Sequence, residues 1–179
     1  MFKKRSAVSV ENLQQLASAL QKVGMDAHFS VTADNPIEAI FVSLAADDTS
    51  ENQQAVDLLL KITLASSAHR ALAAEDDSGV DPATSGFGSF DYIQFYVDLE
   101  LEVEPAQYDV LSRHIANINN ELPLIGFSLN YHSAGKLSYR HMMLIEGGKI
   151  NFFLAARAVQ LIAFLIRDYR PLIAEHTLT

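Results

Sequence analysis

Three stretches of this sequence carry residue types at spacings that chemistry uses. Ser133-Ala134-Gly135-Lys136 has the Ser-x-x-Lys spacing in which a lysine activates a serine nucleophile in penicillin-recognising enzymes. That chemistry needs the serine at a helix start inside a cleft, whereas the flanking residues here read as two strands joined by a turn. Gly86-Phe87-Gly88 lacks the third glycine of a dinucleotide fingerprint and runs into a strand, so no helix dipole would meet a pyrophosphate. Glu75-Asp76-Asp77 with Asp81 resembles a calcium loop in composition. Counting back from Gly79, however, puts Ala74 where the first carboxylate must stand. The six histidines are scattered over different elements, and cysteine is absent, which removes thiolate ligands and thiol nucleophiles. The sequence therefore predicts no metal, no cofactor and no catalytic residue.

Two histidines are placed more pointedly. His114 lies beside the apolar stripe of a helix and reads as a packed, hydrogen-bonded side chain. His141 shares one face of a strand with Leu137, Tyr139, Met143 and Ile145, where an imidazole can line a pocket. Tyr139 and His141 are thus the candidate pocket residues. No carboxylate or serine has a sequence position that obliges it to meet them.

The elements that must position these residues follow from periodicity. Leu13, Leu16, Ala17, Leu20 and Val23 form one helical stripe, with Ser9 as N-cap and Gly24 as stop signal. From Met25 the period changes to two, giving a strand that Asp34-Asn35-Pro36 ends with a turn, and Ile37 to Ala45 forms the second arm of a hairpin. Val56 to Leu64 alternates without a break and predicts a third strand. Residues 66–89 read as a long loop, expected to be mobile and cut first by proteases between Ala74 and Ser89. Phe90 to Val103 carries the longest strand signal, with Ile93, Phe95 and Val97 on one side and Gln94, Asp98 and Glu100 on the other. Pro105 opens a helix that ends at Pro123; Gly126 to Tyr131 and Leu137 to Ile145 form a hairpin; Asn151 caps a final helix ending near Arg170-Pro171. Consecutive strands with short connections predict one α+β domain over 1–179, an antiparallel sheet packed on one face by N-terminal, middle and long C-terminal helices.

Composition narrows the partners. A formal net charge of −9, with clustered Lys and Arg supplied only by Lys3-Lys4-Arg5, argues against a nucleic-acid binder, so no nucleic acid is expected. The most apolar segment, Phe152 to Ile166, contains Arg157 and Gln160 and is shorter than the roughly twenty residues a bilayer requires, so no membrane insertion is expected. Polar Glu11, Asn12, Gln14 and Gln15 interrupt what would be the apolar stretch of a signal peptide, and a cytoplasmic location follows as the expectation.

Ile118-Asn119-Asn120, Leu122-Pro123-Leu124-Ile125-Gly126-Phe127, Leu137-Ser138-Tyr139-Arg140 and Asp168-Tyr169-Arg170-Pro171 together resemble the YbjN-like bacterial proteins, which share the fold of type III secretion chaperones. The resemblance covers about Phe90 to Ile173, and the earlier residues only in element order. It implies a helix–sheet–helix sandwich, often dimeric, with chaperone-like or regulatory roles and no catalytic residues. The resulting expectation is a non-enzymatic module that binds a polypeptide partner; the alternative is a small-molecule-binding domain or weak enzyme with its pocket near Tyr139 and His141. The last helix is apolar around nearly its whole circumference, which predicts a homodimer through Phe153, Leu161, Phe164 and Leu165; the alternative is that helix one or the N-terminal segment folds across it and buries the same residues within one chain.

Overall fold

A computed structural model describes residues 10–32, 35–45, 57–64, 92–122, 126–130, 135–145 and 149–177. The loop 66–89 and its expected cutting sites lie outside the described residues, as do the Ser9 cap and Ser133.

Helix α1, Val10–Lys22, buries Leu13, Leu16, Ala17 and Leu20 and stops where Gly24 adopts φ 85°. Strands β1 (Ala27–Thr32), β2 (Asn35–Ala45), β3 (Asp57–Leu64) and β4 (Tyr92–Asp98) follow. A 3-10 turn at Pro105–Gln107 leads into α2, Tyr108–Glu121, and then come β5 (Phe127–Asn130), β6 (Lys136–Leu144) and α3 (Phe152–Glu175). The six strands are ordered β1-β2-β3-β4-β6-β5, and each neighbouring pair is antiparallel. The α+β class, with an antiparallel sheet and three helices, is as the sequence predicts.

Strand alternation decides which face the helices cover. Along β4, Ile93, Phe95 and Val97 are buried while Tyr92, Gln94, Tyr96 and Asp98 are half-buried. The register carries that division across the sheet: Ile40, Ile62, Phe95 and His141 form one covered row, and Val42, Leu60, Val97, Tyr139 and Phe127 the next. Helix α1 packs on β1, β2 and α3, and α2 packs on β5 and α3, so one apolar cluster fills the space between sheet and helices.

Three boundaries differ from the sequence expectation, each for a local reason. Asn35 and Pro36 stand inside β2, where Asn35 is already paired with Thr32, and not in the turn expected of them. Strand β4 ends at Asp98 rather than Val103. The Asp98 carboxylate accepts the Glu100 N–H at 3.0 Å and Glu100 turns to φ 53°, which breaks the ladder although Leu99 and Val103 stay buried. Helix α3 starts as expected, with the Asn151 side chain accepting the Leu154 N–H at 3.1 Å, but it runs through Pro171 to Glu175. A helical proline sacrifices one backbone bond. Burial of Ile173 and the hydrogen bond from Arg170 Nε to the Leu99 carbonyl, 3.0 Å long, hold the last turn in place.

The hairpin β5–β6 is fastened from α2. Asn119 receives the Phe127 N–H at 2.9 Å and donates to the Phe127 carbonyl at 2.8 Å, acting as one more strand position. A Cβ on Gly126 would collide with the Asn119 amide, so only glycine lets helix and strand approach this closely.

Candidate interaction surface

Tyr139 and His141 face inward, as alternation predicts, but into the core and not into an open pocket. Tyr139 is fully buried, with Phe127 set edge-on to its ring at 5.1 Å, and Tyr169 of α3 completes an aromatic cluster around Phe127. His141 is stacked on Phe95 at 5.5 Å and is 8% exposed. Among the described residues, Tyr139 Oη and His141 Nδ1 are buried with no hydrogen-bond partner. Burial pushes the Tyr139 hydroxyl up to about 12 and lowers the His141 imidazole, so both side chains are neutral at pH 7. His114 is packed as expected, against His176 at 4.2 Å, but its Nε2 is buried without the expected hydrogen-bond partner among the described residues, and burial followed by the His176 charge lowers it too. No group of three His, Cys, Asp or Glu side chains able to hold a metal occurs among the described residues. A surface groove of about 450 Å³ runs between α1 and Phe152, and one of about 200 Å³ lies between α2 and Leu129. Neither reaches Tyr139 or His141.

The helix-free face of the sheet is organised differently. Register brings His28, Phe41, Lys61, Tyr96 and Arg140 side by side across five strands. From Phe41 to Arg140, aromatic and cationic side chains alternate along this row. The Arg140 guanidinium sits over the Tyr96 ring, 5.5 Å from its centroid. At the β1 end, His28 Nε2 lies 2.8 Å from Asp26 Oδ1. Lys61 and Arg140 have no carboxylate within ion-pair distance among the described residues, and Lys136, near the same end, reaches Asp98 at 3.7 Å. Around the row stand Leu59, Met142 and Leu144, which are 50%, 47% and 72% exposed. Ala39, in the neighbouring row, is nevertheless buried. The arrangement presents apolar rings beside positive charges that no carboxylate among the described residues pairs.

Helix α3 exposes a second apolar surface. Phe153 (67%), Leu154 (52%) and Phe164 (48%) reach solvent, each phenylalanine with an arginine over its ring, Arg157 at 5.4 Å and Arg167 at 5.1 Å. Leu161 is half-buried. Leu165 departs from the expected interface: it is 5% exposed and belongs to the core, because α1 and α2 flank α3 and cover that side of it within one chain.

Sequence reasoning placed Gln94 and Asp98 on the wet face of β4, which the structure bears out, but missed the row itself. Alternation tells which face a residue takes; it does not tell which residues of other strands will stand beside it.

The fold and the two surfaces define an α+β protein with one open sheet face. No family model matches the sequence, and neither a curated protein nor a solved structure was found to match it.

Proposed function

We propose that this protein is a non-enzymatic interaction module, chaperone-like or regulatory, that binds an acidic stretch of a polypeptide partner across the helix-free sheet face in the cytoplasm of a bacterial cell. The observation that carries this reading is the row Phe41, Lys61, Tyr96 and Arg140, with two cations lacking a carboxylate among the described residues. An extended segment lying across it would set its carboxylates against Lys61 and Arg140 and its apolar side chains on the rings of Phe41 and Tyr96. The YbjN-like resemblance points to the same class of role. Affinity purification from the native host tests it. The wild-type chain is expected to retain a partner that the Lys61→Glu, Arg140→Glu double variant loses while folding normally, and retention by the variant contradicts the assignment.

A second reading is favoured by the unpartnered Tyr139 Oη and His141 Nδ1: a small ligand that enters between sheet and helices and bonds to both. A metabolite retained by wild type and lost from the Tyr139→Phe variant would select it.

A further inference from the structure

The solvent side of α3 carries a pattern that matches itself when reversed. Leu154, Arg157, Leu161, Phe164, Asp168 and Pro171 follow one another at steps of three and four alternately, the spacing of a coiled-coil seam. Leu154, Arg157, Phe164 and Asp168 are exposed, and Leu161 and Pro171 are half-buried, so the seam lies on the side of the helix turned away from the sheet. A second α3 laid antiparallel, centred between Ile162 and Ala163, sets Leu161 against Phe164, Arg157 against Asp168 and Leu154 against Pro171. Each pairing occurs twice by symmetry. Apolar residues meet apolar residues, and the one positive residue of the seam meets the one negative. Phe153 and Leu172, 67% and 45% exposed, flank this seam on opposite sides and widen its apolar surface.

The geometry points to a second copy of this chain as the occupant of that surface, in an antiparallel α3–α3 contact about a two-fold axis. A seam serving an unrelated protein has no reason to be complementary to its own reverse. Sign matching sets the register. Within one chain Asp168 already meets Arg167 at 3.1 Å and Arg157 meets Gln160 at 3.1 Å. Only this register adds an Arg157–Asp168 contact across the seam, whereas a shift by one turn sets one of them against an apolar residue. The dimer turns both helix-free sheet faces outward, so each remains free to hold a partner segment.

Sedimentation velocity on the full chain at micromolar concentration is expected to show a dimer. Phe164→Glu is expected to give a monomer whose circular dichroism is unchanged. Arg157→Asp or Asp168→Arg alone sets like charges together in two layers, which is expected to weaken association about tenfold or more, and combining the two restores it. Because the chain has no cysteine, a separate readout fixes the register without relying on affinity. Arg157→Cys mixed with Asp168→Cys is expected to form a mixed disulfide dimer. Either variant alone is expected to form none, since a residue at position 157 is about 16 Å along the axis from its own symmetry mate. A chain that stays monomeric on concentration, a dimer that survives Phe164→Glu, a double reversal that fails to restore association, or disulfides formed equally by each variant alone overturns the proposal. None of these outcomes depends on a polypeptide partner for the sheet face.

Discussion

The two faces of the sheet are built from the same strands with opposite chemistry. On the covered face, the row Ile40, Ile62, Phe95 and His141 is packed beneath the helices; one residue further along each strand, the row Phe41, Lys61, Tyr96 and Arg140 alternates rings with charges. Burial explains Ile40, Ile62 and Phe95 of the first row. It does not explain the second, because a merely solvated face has no use for two large aromatic rings on alternate strands with one cation between them and another beside them. The contrast between neighbours along one backbone separates residues that hold the fold from residues available to a partner.

Adjacent substitutions on β4 break this comparison most sharply. Phe95→Ala leaves a cavity against His141 and beneath the helices and is expected to cost about 3–5 kcal/mol. Tyr96→Ala, one position along, is expected to cost about 1 kcal/mol or less, since it loses mainly the Arg140 contact. Paired urea melts decide it: equal losses would mean that the open face is as structural as the covered one.

The fastening between α2 and β5 ranks next. Asn119→Ala removes both bonds to Phe127 and leaves its N–H and carbonyl without their partner, an expected loss of about 2 kcal/mol. Gly126→Ala drives a methyl into the Asn119 amide and is expected to cost a similar amount. Urea melts of the two variants that matched wild type would show that the hairpin is held without this contact.

A smaller effect distinguishes the faces by pH. His141 is lowered by burial, so the unfolded chain, with its imidazole near 6.5, takes up a proton before the folded one does. Its contribution is fully present above pH 6.5 and is lost as pH falls from there toward the lowered folded value; His114 acts in the same sense. Replacing His141 by Phe, which has no proton to gain, is expected to flatten that part of the stability curve between pH 7 and pH 5. A curve unchanged by His141→Phe would contradict the assignment of the imidazole to the dry side.

Much of this division was legible before the structure. The unbroken alternation from Val56 to Leu64 and from Ile93 to Val97 named the strands and their buried sides, and Asn151 marked the start of α3. What stayed hidden depends on contacts between distant residues. Strand β4 ends at Asp98 because of its own carboxylate and the positive φ of Glu100, where the apolar pattern of Leu99, Leu101 and Val103 continues regardless. Helix α3 passes Pro171 because Ile173 and Arg170 find partners on the far side of the core. Tyr139 and His141 were assigned the correct face. That this face is filled and not hollow depends on how α2 and α3 settle over it. The row from His28 to Arg140 needs the register of five strands at once, which no local pattern encodes.

The central claim, that the row on the helix-free face is a binding surface for an acidic segment, is tested most directly by titrating the protein with an extended peptide of alternating glutamate and tyrosine while following its amide resonances. Shifts confined to the strands around Phe41, Lys61, Tyr96 and Arg140, fading as salt is raised, are the predicted result. Shifts centred on the α1 groove or on Tyr139 and His141, or none at millimolar peptide, would contradict it.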